Sequence, residues 1–322
     1  MEQEADFFMQ YKAVSNKLKK RFLKKPNVAE AREEFGQLAS TLSMKGCYHY
    51  AGFCCLAMAR CEMNMSHSLG EVQALTDAAR YFLQADQSVE AIHSPKYGEH
   101  LICAKSCFDY AIKVLIKCDL PCMAASLCEE IGRYYEEKKD YHTALSLYLR
   151  GAELNFQNPL HLLLLQQKIM ILKTVLDDFN GALSLCSEIL HQISDKCSYH
   201  CDGHTLLGQY AKLHCDCEIQ MILLLMLLNP HPLKIVSGYS QILQKYTWTC
   251  SENTVLKNGF SNNGMDPELF TLMQSFVMAC SGRDLSSMEY LQSRLRFHFT
   301  PQLNMLLQKI IEEYNHPAGL GF

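Results

Sequence analysis

The chain has 322 residues, 48% of them hydrophobic, and a formal net charge of −4 from 30 Lys and Arg against 34 Asp and Glu. Apolar content of that size excludes disorder throughout. The slightly acidic balance excludes a general electrostatic pull toward nucleic acid or an anionic membrane.

Apolar residues recur at steps of three and four along nearly the whole chain, with little strand alternation, which predicts an all-α fold. The start, Met1-Glu2-Gln3-Glu4-Ala5-Asp6, has neither the basic nor the apolar region of a secretory signal. The 16 Cys sit mostly in apolar helical stretches, as at Cys54, Cys55, Cys61, Cys103, Cys107 and Cys128. They read as small buried hydrophobes of a reducing cytosol.

The first distinctive stretch is basic: Asn16-Lys17-Leu18-Lys19-Lys20-Arg21-Phe22-Leu23-Lys24-Lys25. On a helix, Leu18 and Phe22 face one way, and Lys17, Lys19, Lys20, Arg21, Lys24 and Lys25 line much of the rest. An amphipathic basic helix of this kind suits an acidic protein surface, RNA, anionic lipid or a nuclear-import receptor, and a plain solvated face has the same pattern. RNA is disfavoured by the acidic overall balance.

Pro26, Pro121, Pro159, Pro232, Pro267 and Pro301 each stand at or just before an apolar-periodic segment, where a missing N–H costs a helix nothing. Between them lies an internal echo. Asp140-Tyr141-His142-Thr143-Ala144-Leu145-Ser146-Leu147 returns as Asp178-Phe179-Asn180-Gly181-Ala182-Leu183-Ser184-Leu185, 38 residues on, with weaker echoes at Asp119-Leu120 and Asp284-Leu285. Each reads as a helix start: the aspartate caps free N–H groups, and a small residue lets two helices approach.

Around the first copy the spacing resembles a tetratricopeptide repeat, with Ile131, Gly132 and Tyr135 on one helix and Tyr141, Ala144, Tyr148 and Gly151 on the next. The following unit keeps Phe179 and Ala182 but carries Met170 where a small residue belongs. The expected architecture is therefore all-α: stacked antiparallel helix hairpins forming a degenerate tetratricopeptide-like α-solenoid.

Two segments, Leu160 with Leu162 to Leu165 and the eight-residue run Met221 to Leu228, are apolar on every side. They are too short for the roughly 20 residues that cross a bilayer. Each must be a central helix of this chain or be covered by a partner.

Ser194 to His204 and the Asn- and Gly-rich Thr249 to Asp266 resist a helical reading. The expected divisions are a helical array over 1–193, a linker over 194–204, middle helices over 205–248, a loop over 249–266 and a helical cap over 267–322. Cys197, His200, Cys201, His204, His214, Cys215 and Cys217 are of zinc-ligand type, but their spacing matches no closed site. Cys122, after Pro121, is the best-placed thiol for nucleophilic chemistry, and a structural thiol fits it as well. No phosphate loop, dinucleotide fingerprint or metalloprotease helix is present. No catalytic, cofactor or metal residue is assigned, and the chain reads as a non-enzymatic scaffold.

The stretch from Tyr11 through the basic run to Pro26-Asn27-Val28-Ala29-Glu30-Ala31 resembles the family of the forty-kilodalton huntingtin-associated protein, also called the factor VIII intron 22 protein. Agreement returns at Ala74-Leu75-Thr76-Asp77-Ala78-Ala79-Arg80, Tyr97-Gly98-Glu99, Lys245-Tyr246-Thr247-Trp248, Pro267-Glu268-Leu269-Phe270 and Gln274-Ser275-Phe276-Val277-Met278-Ala279. The proline-rich linker of mammalian members is replaced here by the short segment 194–204. The resemblance implies a helical adaptor held between the HEAT-repeat domains of huntingtin in a stable heterodimer, without a cofactor. It further implies a link to early endosomes through a Rab GTPase that affects vesicle motility. The expected localisation is cytoplasmic, with an early-endosome pool and a nuclear one. The rival reading is a vesicle-fusion adaptor resembling soluble attachment proteins, which binds SNARE bundles.

Overall fold

The structure is a computed structural model that describes residues 2–19, 27–95, 97–198, 208–230, 237–247 and 265–315. Among the described residues there are fourteen α-helices and no strand, as the three- and four-residue period requires. They are α1 (Glu2–Lys17), α2 (Val28–Met44), α3 (Tyr48–Asn64), α4 (Ser68–Ala91), α5 (Glu99–Lys117), α6 (Pro121–Glu137) and α7 (Tyr141–Leu154). There follow α8 (Pro159–Val175), α9 (Phe179–Ser198), α10 (Gln209–Leu228), α11 (Ser237–Lys245), α12 (Pro267–Gly282), α13 (Leu285–Leu295) and α14 (Pro301–Asn315). The class is the degenerate tetratricopeptide-like α-solenoid.

Local chemistry explains where helices begin. Pro121, Pro159 and Pro267 occupy the first turn of their helices, and Pro301 opens α14; Pro26 and Pro232 lie outside the described residues. Asn27, Asn158, Asp178 and Asp284 accept from the backbone N–H three residues on, at 3.0 to 3.4 Å. Asp178 and Asp284 also close the preceding helix, their own N–H groups donating to the carbonyls of Lys173 and Ala279. The echo at Asp119 has a different role. Asp119 sits in the left-handed region at φ 57°, and Leu120 takes the N-cap position of α6.

The chain divides into two compact units, Met1–Asp140 with Arg150–Gln157, and Tyr141–Leu149 with Asn158–Phe322. In the first, each helix from α1 to α5 packs on its successor. Phe7 stacks on Tyr50 at 4.2 Å and His49 on His100 at 5.9 Å, so α1, α3 and α5 form one layer. The helices α4 and α6 form the other, through Arg80–Glu130 at 2.8 Å and Tyr134–Asp86 at 2.7 Å, pairs 50 and 48 residues apart. This spacing exceeds the 38-residue echo because α4 alone has 24 residues. Small side chains bring the layers together: Ala51, Cys54, Ala78, Ala79, Ala104 and Ala111 are all fully buried.

In the second unit, α10 is the central helix, packed by α8, α9, α11, α12 and α14. Met221 to Leu225 are at most 1% exposed. The apolar run that asked for a covering surface is therefore covered within its own unit. Leu163 and Leu165 of α8 are buried with it, and Leu160, Leu162 and Leu164 are half-buried. The helix α9 continues to Ser198, so the first five residues of the expected linker are helical, while 199–207 lie outside the described residues. The middle helices and the C-terminal cap share one core with α8 and α9.

Candidate functional site

The repeat residues sit where interhelical packing needs them. Ile131, Gly132, Tyr135, Ala144, Tyr148, Gly151 and Ala182 are buried, and Tyr141 and Phe179 half-buried. Lys168 stands over the Tyr148 ring at 5.4 Å and Lys309 over the Phe179 ring at 5.3 Å. Met170, at the small-residue position, is fully buried against the Cys186 thiol.

The thiols belong to the same packing. Burial pushes Cys54, Cys55, Cys107, Cys215 and Cys280 up to about 12 and Cys128 up to about 11, away from nucleophilic use. Cys122 is half-buried, with Sγ 3.8 Å from Gln157 Oε1. Among the described residues no three His, Cys, Asp or Glu side chains gather as metal ligands. Cys215 and Cys217 are buried in α10, and His214 lies beside Glu218 with Nδ1 3.4 Å from Oε2. The Cys197 side chain, His200, Cys201 and His204 fall outside the described residues.

The basic run is not one continuous helix. The helix α1 ends at Lys17, whose ammonium pairs with Glu30 at 3.1 Å and with Glu34, both of α2. Leu18 has left the helix and packs on the cluster of Val14, Ala31, Phe35, Ala57 and Cys61. Lys19 is exposed, and Lys20, Arg21, Lys24 and Lys25 lie outside the described residues. Lys17 is thus engaged in holding α1 to α2.

The first unit turns two unlike faces outward. On α4 the outward stripe is Gln73, Asp77, Arg80, Gln84 and Gln87; on α6 it is Ser126, Glu130, Arg133 and Glu137; on α2 it is Glu30, Glu33, Gln37 and Ser40. These members are polar, and each stripe runs at one helix end into an exposed apolar residue: Met44 on α2, Leu69 on α4 and Met123 on α6.

The other layer reads differently. On α3 the stripe is His49, Phe53, Leu56, Arg60 and Met63; on α5 it is Ile102, Ser106, Tyr110, Lys113 and Lys117, with Ile116 beside it. Steps of three and four hold each set on one side of its helix. Ile102 is 64% exposed, Tyr110 60% and Met63 55%, and α1 adds Phe8 and Met9. Lys113 stands over the Tyr110 ring at 5.1 Å. The exposed charges of α3 and α5 are Arg60, Lys113 and Lys117, with Glu99 the exposed carboxylate among their described residues. Asp109 is already held by Lys105 at 2.8 Å and Arg150 at 3.2 Å. An exposed apolar face with bases gathered toward one end is the mark of an interaction surface.

No helix among the described residues is long and apolar enough to cross a membrane. The family model that matches residues 10–196 is that of the soluble NSF attachment protein, SNAP. The chain is also similar to the 40-kDa huntingtin-associated protein of Mus musculus, at 33% identity over 98% of this chain and 94% of that protein. To the 40-kDa huntingtin-associated protein of Rattus norvegicus the identity is 31% over the same shares.

Proposed function

The chain belongs to the family of the 40-kDa huntingtin-associated proteins and carries a soluble NSF attachment protein domain over residues 10–196, and from that premise we propose that it is a non-enzymatic adaptor whose partner is huntingtin. The observation that carries the reading is the unlike pair of faces on the first unit. One is polar apart from Met44, Leu69 and Met123 at its helix ends; the other leaves Phe53, Met63, Ile102 and Tyr110 in water. Burying such side chains contributes about 1.5–3 kcal/mol each, enough for a lasting complex if several are covered together.

The proposal extends to a stable heterodimer, and to a link between huntingtin and early endosomes through a Rab GTPase. It includes a cytoplasmic protein with an early-endosome pool and a nuclear one. The basic run shares in it: Lys20→Glu, Arg21→Glu and Lys24→Glu together weaken the complex if that segment meets an acidic surface. Co-expression with huntingtin is expected to raise the yield and protease resistance of the chain and to return both proteins in one peak. A monodisperse, stable monomer that ignores huntingtin in a pull-down contradicts the reading.

The family-model match favours one alternative, an attachment-protein adaptor that binds SNARE bundles. Retention of the chain on an immobilised SNARE bundle, with none on huntingtin, selects it.

A further inference from the structure

We propose that the α3–α5 face of the first unit is the docking surface, and that it takes an apolar surface of the partner rimmed by carboxylates. The proposal rests on the adaptor reading and adds which face is used and what chemistry it meets. The helices α4 and α5 are neighbours in one stack, yet the outward stripe of α4 is apolar at its first turn, at Leu69, and polar beyond it, while that of α5 carries Ile102 and, at mid-helix, Tyr110.

The charged part comes from register. The contact of His49 with His100 sets α3 and α5 side by side with their N-terminal ends together. Arg60, eleven residues beyond His49, then lies level with Tyr110 and Ala111, and Met63, fourteen beyond it, with Lys113 and Val114. Three bases therefore converge on the C-terminal half of the face, around Tyr110. Of the acids on these two helices, Glu62 is buried and held by Arg32 at 2.7 Å and Asp109 is held by Lys105 and Arg150, while the exposed Glu99 stands at the opposite, N-terminal end of α5. A partner bringing carboxylates to this rim gains charge-assisted hydrogen bonds, whereas a basic partner is repelled. A bare hydrocarbon surface leaves the three cations without partners.

The test uses full-length chain and full-length huntingtin, with affinity measured across a salt series. Two variants probe the face: Ile102→Asp with Tyr110→Asp for its apolar centre, and Arg60→Glu with Lys113→Glu and Lys117→Glu for its rim. A third, Gln84→Asp with Arg133→Glu, probes the opposite layer. All these side chains are exposed, with Lys113 over the Tyr110 ring and Arg133 3.8 Å from Glu129, so unchanged helicity and melting are the entry check. Expected is a loss of about tenfold or more in affinity for each α3–α5 variant and less than about twofold for the third, with wild-type binding weakening as salt rises. If huntingtin binds the wild type and both α3–α5 variants alike, the face is wrong and the adaptor reading stands. If the apolar variant fails but the rim variant binds as wild type, the acidic chemistry is wrong. If the wild type does not bind huntingtin, the adaptor reading itself fails and the assignment of this face to it fails with it.

Discussion

Lys139, Asp177 and Arg283 hold φ between 51° and 63°, each at the close of a helix and each just before an aspartate that opens the next. A side chain in the left-handed region costs about 1 kcal/mol, which glycine escapes at some loss of chain entropy. Lys139→Gly is expected to raise stability by about 0.5 kcal/mol in urea unfolding. Asp178, whose carboxyl is held below its usual range by Lys173 and by the Gly181 N–H, is the opposite case. Asp178→Ala removes the cap of α9 and is expected to cost about 1 kcal/mol. The capping role was legible in the sequence at Asp178 and Asp284. It was misplaced at Asp119, because an identical dipeptide can be shifted one position along the same turn. At His214, burial holds the imidazole below its ordinary 6.5, against the pull of Glu218 and with the push of Lys245. The unfolded chain then carries more protons just below that value, so stability falls as pH drops through 6.5 until the lower folded-state value is passed. A melting series toward acid is expected to show this slope in the wild type and a shallower one in His214→Gln.

Helix pairs, one level up, depend on a few close approaches. A Cβ on Gly52 would stand 2.9 Å from the ring of Phe82, which is fully buried and has nowhere to go. Gly52→Ala is expected to destabilise by about 1–3 kcal/mol, and the added Phe82→Leu to recover part of it. Between α4 and α6, Tyr134 donates to the buried Asp86 carboxylate, and burial together with that bond raises the phenol well above its usual value. Tyr134→Phe leaves Asp86 with Lys138 at 3.3 Å and is expected to cost about 1–3 kcal/mol. Helix existence, the proline starts and the all-round apolar character of α10 were readable because each depends on residues near in sequence. The continuous basic helix was not, because its end depends on Lys17 finding Glu30 and Glu34 and on Leu18 turning into a cluster built by α2 and α3.

For the molecule as a whole, the exposed face was the least legible feature. Ile102 and Tyr110 look like ordinary members of an apolar helix until the layers are assigned and the buried side of α5 is seen to be Ala104, Cys107, Phe108, Ala111, Ile112 and Leu115. The sequence drew attention instead to the apolar runs of α8 and α10, and the second unit packs those itself. The apolar exposure at mid-helix, at Phe53 and Tyr110, is carried by α3 and α5 of the first unit, while α4 and α6 expose Leu69 and Met123 at their first turns. Hydroxyl-radical footprinting of the free chain and of its complex with huntingtin tests this most directly. Met63, Ile102 and Tyr110 are expected to be strongly protected in the complex, with Met44 and Met123 modified as before. Equal labelling of Met63, Ile102 and Tyr110 in the free and bound states contradicts the account.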